Sequence, residues 1–355
     1  MFAGVSLIAA LAIFIGSAAA VWLAGIWLTD TTDALERRFG FGEALGGLVI
    51  LAITTNLPEI AITTGAAVSG DLSIAIGNIL GGIAIQTLVL VALDAFGIRG
   101  GAPLTYRAAS LILVLEAVLV IGVLTVSVMG HFLPASVVIW RTGPAELLIV
   151  ALWVLGLLLI NRSRENLPWH EAGNPPDGQA IPRGHAKKVR AAKAMKVGMA
   201  RVTTRFAIAS AVTLVAGLLL EQSGERISVG IGISGVVFGA TILAASTALP
   251  EISTGIASVR MGDYQLAVSD IFGGNAFLVT LFLLAGLIAG RAVLPETTSV
   301  DLYLTGLGIL LTVVYAWGLV VRPTRRVGPI GIDSAIALAL YVIGMIGFAT
   351  FAGGI

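Results

Sequence analysis

Long unbroken apolar runs dominate this chain, rather than alternation or a stripe recurring every third or fourth residue. A helix needs about 20 apolar residues to cross a hydrocarbon core of about 30 Å. Runs of that order lie near 3–28, 44–69, 73–96, 108–129, 143–161, 205–222, 227–258, 264–290, 299–321 and 331–352. The pattern predicts an all-α polytopic membrane protein with ten transmembrane helices. The first run is expected to stay in the mature protein, because Met1-Phe2-Ala3-Gly4 carries no basic residue and the run is too long for a signal-peptide core.

Polar residues collect where the runs stop. The one sizeable polar segment, 161–204, holds turn-rich Gly173-Asn174-Pro175-Pro176-Asp177-Gly178 and basic Lys187-Lys188-Val189-Arg190. It reads as a solvated cytoplasmic linker between a first five-span repeat, 1–160, and a second, 205–355. A sharper reading lays 187–202 on the anionic inner leaflet as a basic helix. Basic loops stay cytoplasmic. With Arg205 counted in the linker, loops after odd-numbered spans hold 18 Lys and Arg and those after even-numbered spans hold 3. The split puts the chain N-out and C-out in the cell (inner) membrane. Composition agrees, with 57% hydrophobic and 12% charged residues and a mean hydropathy of +1.00, outside the globular range. The absence of cysteine excludes thiol chemistry.

The two halves match in sequence. At a constant offset of 192, residues 50–82 share with 242–274 the positions Ile50, Leu51, Ala52, Thr55, Leu57, Pro58, Glu59, Ile60, Gly70, Asp71, Ala75, Ile79, Gly81 and Gly82. Pro-Glu, Gly-Asp and Gly-Gly in one gapless register are not a coincidence of apolar composition. Each repeat carries an odd number of spans, so the second enters the membrane upside down relative to the first. Two inverted-topology five-helix repeats are a plan of secondary transporters.

Helix rise places the polar residues of the repeats. From Glu59 to the turn at Gly70-Asp71 is about 16 Å, and from that turn to Asn78 about 10 Å. Glu251 and Asp270 repeat this around Gly262-Asp263 from the opposite face, so the four groups are expected near the midplane. A carboxylate at the bilayer centre costs at least ~2.5–3.5 kcal/mol, and several in one pocket repel unless protonated or neutralised. The four helix centres contain no Lys or Arg; the compensating charge must be bound cations or protons. Pro58 and Pro250 remove a helical donor each and distort the turns that carry Thr55 and Thr247. Carboxylate, amide and carbonyl oxygens make a hard site suited to Ca²⁺ or Na⁺.

These motifs resemble the alpha repeats of the cation/calcium exchanger superfamily, especially its sodium/calcium exchanger branch. The family pattern, roughly G-T-S-x-P-E followed by G-N-x-x-G-S-N, is similar to Thr54-Thr55-Asn56-Leu57-Pro58-Glu59 with Gly77-Asn78-Ile79-Leu80-Gly81-Gly82, and to Ser246–Glu251 with Ser269–Asn275. The resemblance implies a Ca²⁺/Na⁺ antiporter working by alternating access, with Thr55, Glu59, Asn78, Thr247, Glu251 and Asp270 as cation ligands. It also implies that the first and sixth spans slide past the site helices. The transported ions are the ligands, and no separate cofactor is expected. The chain departs from the pattern at Thr54, Ser246, Asn56, Ala248, Gly82, Gly274 and Ile83. It also has Ile74 and Leu266 where sodium-coupled members often carry hydroxyls. Sodium is the preferred coupling ion; a Ca²⁺/H⁺ antiporter is the alternative, since a buried carboxylate can carry a proton on the return stroke.

A cation channel ranks third, since acidic channel residues more often form rings between subunits. The chain is not expected to be an enzyme. His131, His170 and His185 fall in predicted loops, and neither H-E-x-x-H nor G-x-S-x-G occurs. Inorganic cations and the lipid bilayer are the expected partners, with no nucleic-acid signature beyond the basic linker. Glu116 reads as a packed structural residue. Asp94, Glu146, Glu221, Asp301 and Asp333 lie near span ends, where interfacial solvation is expected. Gly81, Gly82, Gly273 and Gly274 read as close-packing positions.

Overall fold

The computed structural model describes residues 5–39, 53–98, 100–108, 110–166, 199–233 and 235–352. The basic stretch of the linker and residues 40–52 lie outside them, whereas 29–39, expected as loop after the first span, continue its helix. Helix α1 (Leu7–Phe39) is followed by α2 (Leu57–Ser69), α3 (Ser73–Ala92) with a π turn at Leu93–Gly97, and the short α4 (Leu104–Ala108). Next come α5 (Leu111–His131), α6 (Pro144–Asn166) and α7 (Met199–Ile231). The seventh predicted span is built in pieces: α8 (Gly235–Phe238), a π turn at Gly239–Leu243, α9 (Ala244–Thr247) and α10 (Leu249–Arg260). Helices α11 (Tyr264–Ala289), α12 (Ser299–Val321) and α13 (Ile332–Ala352) complete the chain, with a two-residue hairpin, Arg326–Val327 against Ile330–Gly331, before α13.

Among the described residues, eight helices are long and apolar enough to cross a membrane, and the bent pair Gly239–Thr247 and Leu249–Arg260, at 46°, makes a ninth. Of the second predicted span only 53–69 is described. The boundary between the sixth and seventh predicted spans moves. Polar Ser223-Gly224-Glu225-Arg226, expected as a loop, continues α7 by two further turns. Arg226 Nε there donates to the Val5 carbonyl at 3.0 Å, and Gly224 lets Phe238 pack against the helix. The helix stops instead at Gly232, whose φ of 75° is a left-handed conformation that glycine adopts readily. Helices also extend into both ends of the expected linker, to Asn166 and from Met199.

Two helices form the centre. The spans Ser73–Gly97 and Tyr264–Ala289 are 89% and 78% buried, against 28% for Leu7–Leu28 and 22% for Ala200–Ile231. The last two lie along each other at the periphery as the most extensive helix pair. Small residues, among them Ala209, Ala211 and Ala216 of α7, permit their close approach. At the core, a β-carbon added to Gly81 would meet Ala240 Cα at 2.3 Å. Gly81 therefore permits a close helix approach, as its position suggested.

The halves repeat in geometry as well as in sequence. Gly70 and Gly262, 192 residues apart, end α2 and α10 at φ of 84° and 82°. Asp71 and Asp263 then accept from backbone amides at the start of the next helices, Ser73 N at 3.0 Å and Leu266 N at 3.2 Å. Each peripheral helix packs on the opposite half. A β-carbon on Gly25 of α1 would lie 2.8 Å from Pro250 Cβ, and one on Gly217 of α7 would lie 2.9 Å from the Pro58 carbonyl. Gly25 and Gly217 are also 192 apart.

The carboxylates near the span ends are buried instead of solvated. Glu146 accepts from Val293 N and Leu294 N at 2.7 and 3.0 Å, and Asp94 from Leu104 N and Gly331 N at 3.0 and 2.5 Å. Asp301 forms a capping box with Thr298, and Asp333 accepts from Thr105 Oγ1 at 2.5 Å. Glu221, also buried, sits against Gly65 of α2. Loop amides that find no partner in their own segment recruit these acids from distant helices. His131 is the last residue of α5, not a loop residue, and its Nδ1 lies 3.0 Å from Thr297 Oγ1. His170 and His185 lie outside the described residues.

Gly25→Val and Gly217→Val should each destabilise the protein, by roughly 1–3 kcal/mol as overpacked contacts do. Thermal unfolding of the detergent-purified variants measures this, and the swapped packing requires that both lower Tm.

Candidate cation-binding centre

The centre is built where two helices break. Asn56 (φ −89°, ψ 17°) and Ala248 (φ −77°, ψ 0°) interrupt their spans at matching positions. Pro58 and Pro250 follow in the first turns of α2 and α10 and have no N–H for the carbonyls four residues back. The helices restart with the same bond in both halves, Ile60 N to Asn56 O at 3.1 Å and Ile252 N to Ala248 O at 3.2 Å. Glu59 and Glu251 thus stand in the first turn of a new half-helix, where the amide ends favour negative charge. Thr55 and Thr247 stand at the carbonyl end of the preceding piece.

The breaks face one another. The Thr247 hydroxyl neighbours the Glu59 carboxylate, and the Thr55 hydroxyl neighbours that of Glu251. Each acid meets the threonine of the other repeat. Thr247 donates instead to Ala244 O at 3.2 Å, so it leaves Glu59 without a well-formed bond. Glu59 and Glu251 are each 1% exposed, and all four of their carboxylate oxygens lack hydrogen-bond partners among the described residues. Glu251 is within electrostatic reach of both Glu59 and Asp270. Asp270, 4% exposed, accepts from Thr254 Oγ1 at 3.0 Å and keeps Oδ1 unpartnered.

Asn78 is wholly buried, and neither polar atom of its side chain has a hydrogen-bond partner among the described residues. The backbone there is pressed against the seventh predicted span, with a hypothetical Gly239 β-carbon 3.1 Å from Asn78 N. The structure therefore draws Thr55, Glu59, Thr247, Glu251 and Asp270 into one electrostatic neighbourhood and sets Asn78 in the adjoining core without a bond to them. Among the described residues, no three acidic or imidazole groups are grouped closely enough to hold a metal ion by themselves. An ion here would complete its shell with hydroxyl, amide or carbonyl oxygens. The donor set fits a hard cation: all oxygen, with no thiolate or imidazole.

Thr254 was not singled out in the sequence, although it follows Glu251 by three residues and so shares its helix face. Glu116 belongs to the wider surroundings. It accepts from Ser269 Oγ at 2.9 Å, which ties α5 to the residue preceding Asp270. That is consistent with a packed role. Gln86, Thr87 and Asn275, all buried, form a further polar group beside the centre.

The sodium/calcium exchanger protein family profile matches residues 9–172 and again 202–350, on either side of the polar segment. The chain belongs to that family. This sodium/calcium exchanger family member is 26% identical over 308 residues to the inner membrane protein YrbG of Escherichia coli (strain K12), covering 85% of this chain and 86% of that one. It is 25% identical over 293 residues to the putative antiporter CaxA of Alkalimonas amylolytica, covering 82% and 84%. Its fold matches the solved sodium-calcium exchanger NCX_Mj with a TM-score of 0.59 at 17% identity, over 96% of this chain and 99% of that one. The exchanger is thus a multi-pass membrane transporter of inorganic cations, not an enzyme.

Thr254→Val keeps the side-chain shape and removes the donor to Asp270. Leaving that buried acceptor unsatisfied should cost about 1–3 kcal/mol, read as a lower Tm in the absence of divalent ions.

Proposed function

We propose that this exchanger is a secondary active antiporter that moves Ca²⁺ against Na⁺ by alternating access at one centre, with Thr55, Glu59, Asn78, Thr247, Glu251 and Asp270 as its ligands. The observation that carries the reading is the reciprocal pairing at the two helix breaks, Thr247 beside Glu59 and Thr55 beside Glu251. It gives one pocket with a carboxylate and a carbonyl-rich turn from each half. In this reading the chain forms ten transmembrane helices in two inverted repeats, 1–160 and 205–355, N-out and C-out in the inner membrane, with 161–204 cytoplasmic. The matched geometry at Gly70 and Gly262, and at Gly25 and Gly217, supports the repeats.

An empty centre with two or three desolvated charges is costly to carry past the barrier. Occupied by either cation, it is neutralised and can be re-exposed on the other side. Occupancy thus couples the two fluxes. Helices α1 and α7, packed on Pro250 and Pro58, are positioned to transmit their movement to the two breaks. A proton is the alternative coupling ion, favoured by one observation. Ile74 is buried and Leu266 apolar one turn before Asn78 and Asp270, so neither supplies a hydroxyl ligand.

Calcium uptake into proteoliposomes under an imposed Na⁺ or H⁺ gradient, with the voltage clamped by an ionophore, separates the two. Uptake should follow the sodium gradient, and indifference to sodium with dependence on the proton gradient would select the alternative. Glu251→Gln should reduce exchange by at least about 100-fold, the effect of losing roughly 2.7 kcal/mol of ion stabilisation, while the protein still elutes as a folded species. Retained exchange in that variant would refute the site.

A further inference from the structure

Two uncharged oxygens in the core are left facing nothing that donates to them. Gln86 on α3 and Asn275 on α11 are 1% and 0% exposed, and Gln86 Oε1 and Asn275 Oδ1 have no hydrogen-bond partner among the described residues. They belong to one crossing. Gln86-Thr87 faces Gly274-Asn275, for a β-carbon on Gly274 would lie 3.8 Å from Gln86 Oε1, and Asn275 Nδ2 donates to Thr87 Oγ1 at 3.0 Å.

The orientation of the Asn275 amide follows from the bonds around it. The Thr87 hydroxyl uses its proton on the Ile83 carbonyl at 2.7 Å, so toward Asn275 its oxygen can only accept. Asn275 must then turn its NH₂ to Thr87 and its carbonyl away. Gln86 likewise directs Nε2 to Asn56 Oδ1 at 3.4 Å, which leaves Oε1 free. Both side chains commit a donor and present an acceptor. Native interiors rarely leave such atoms unmatched without a reason, and polar groups within membrane spans commonly mark ion pathways.

Carbonyl oxygens without a donor are hard ligands for a cation. They carry no net charge, so they cannot offset a divalent ion in a low-dielectric interior. A single charge spread over neutral dipoles is a better match, as carbonyl-lined cation sites in membranes illustrate. We propose that Gln86 and Asn275 supply the side-chain ligands of a second, charge-neutral subsite, separate from the carboxylate centre, that binds one monovalent alkali cation. Thr87 is its positioning residue, holding the Asn275 carbonyl outward. The inference deepens the exchanger reading and rests on it for the role of the ion: the amide crossing adds a monovalent site beside the acidic centre, which either cation occupies in turn.

The test uses the purified full-length protein carrying Glu251→Gln, in which the carboxylate centre is impaired. Thermal unfolding is followed by tryptophan fluorescence in divalent-free buffer with NaCl or KCl, against choline chloride at equal ionic strength. Sodium or potassium should raise Tm in a saturable way. Adding Thr87→Val, which keeps the shape and removes the hydroxyl, should weaken the apparent affinity by about tenfold. Gln86→Leu and Asn275→Leu should each do at least as much. The proposal is overturned if neither salt differs from choline in the Glu251→Gln protein, or if the Thr87→Val protein responds like its parent. A variant that does not fold is replaced by Gln86→Ala or Asn275→Ala with the same expectation. Calcium binding to the wild-type protein is titrated separately. Its absence would bring down the exchanger reading without altering the monovalent result, so the two failures are distinguishable.

Discussion

Two carboxylates that meet no donor among the described residues, buried in the midst of apolar helices, set the terms for the rest of the fold. Desolvated charge is among the costliest things a membrane protein can contain, and Glu59 and Glu251 are tolerable only because the surrounding chain accommodates them. The helices that bear them are cut at Asn56 and Ala248, so each acid stands at the amide end of a fresh half-helix. The opposite repeat contributes a threonine to each. Around these breaks lie the two most buried spans, Ser73–Gly97 and Tyr264–Ala289. The less buried α1 and α7 close the outside. What the protein leaves unsatisfied at its centre, among the described residues, is a set of carboxylate oxygens that no donor meets.

Much of this was legible in the residues because the same sentence is written twice. Pro58-Glu59 and Pro250-Glu251, with Gly70-Asp71 and Gly262-Asp263, fixed the repeats, and the described helices follow the expected order. The boundary at α7 was not legible, since Ser223-Gly224-Glu225-Arg226 has the composition of a loop. Its helical state depends on Val5 and Phe238, far away in the chain. Glu146 and Asp94 were misread as solvated for a related reason. Their partners are amides 147 and 237 residues distant, which no local pattern announces.

The site divides along the same line. Residue type and spacing were enough to nominate Glu59, Glu251 and Asp270, because acids in apolar runs stand out. The crossed pairing of threonines with acids required three-dimensional structure, as did the separate setting of Asn78. Gln86 and Thr87 drew no attention in the sequence, being neutral and unduplicated. Their significance comes from which of their atoms are bonded and which are not.

The crossed contacts of Gly25 with Pro250 and of Gly217 with Pro58 bear on how the chain is assembled. A repeat that packed only on itself could mature as soon as it was synthesised. Here the first helix docks on a surface made more than 200 residues later, so the N-terminal half enters the bilayer before its packing partner exists. Neither half completes its own packing among the described residues, even though each carries its own copy of the motif. The packing resembles that of an internally swapped dimer, each half lending its peripheral helix to the helix break of the other.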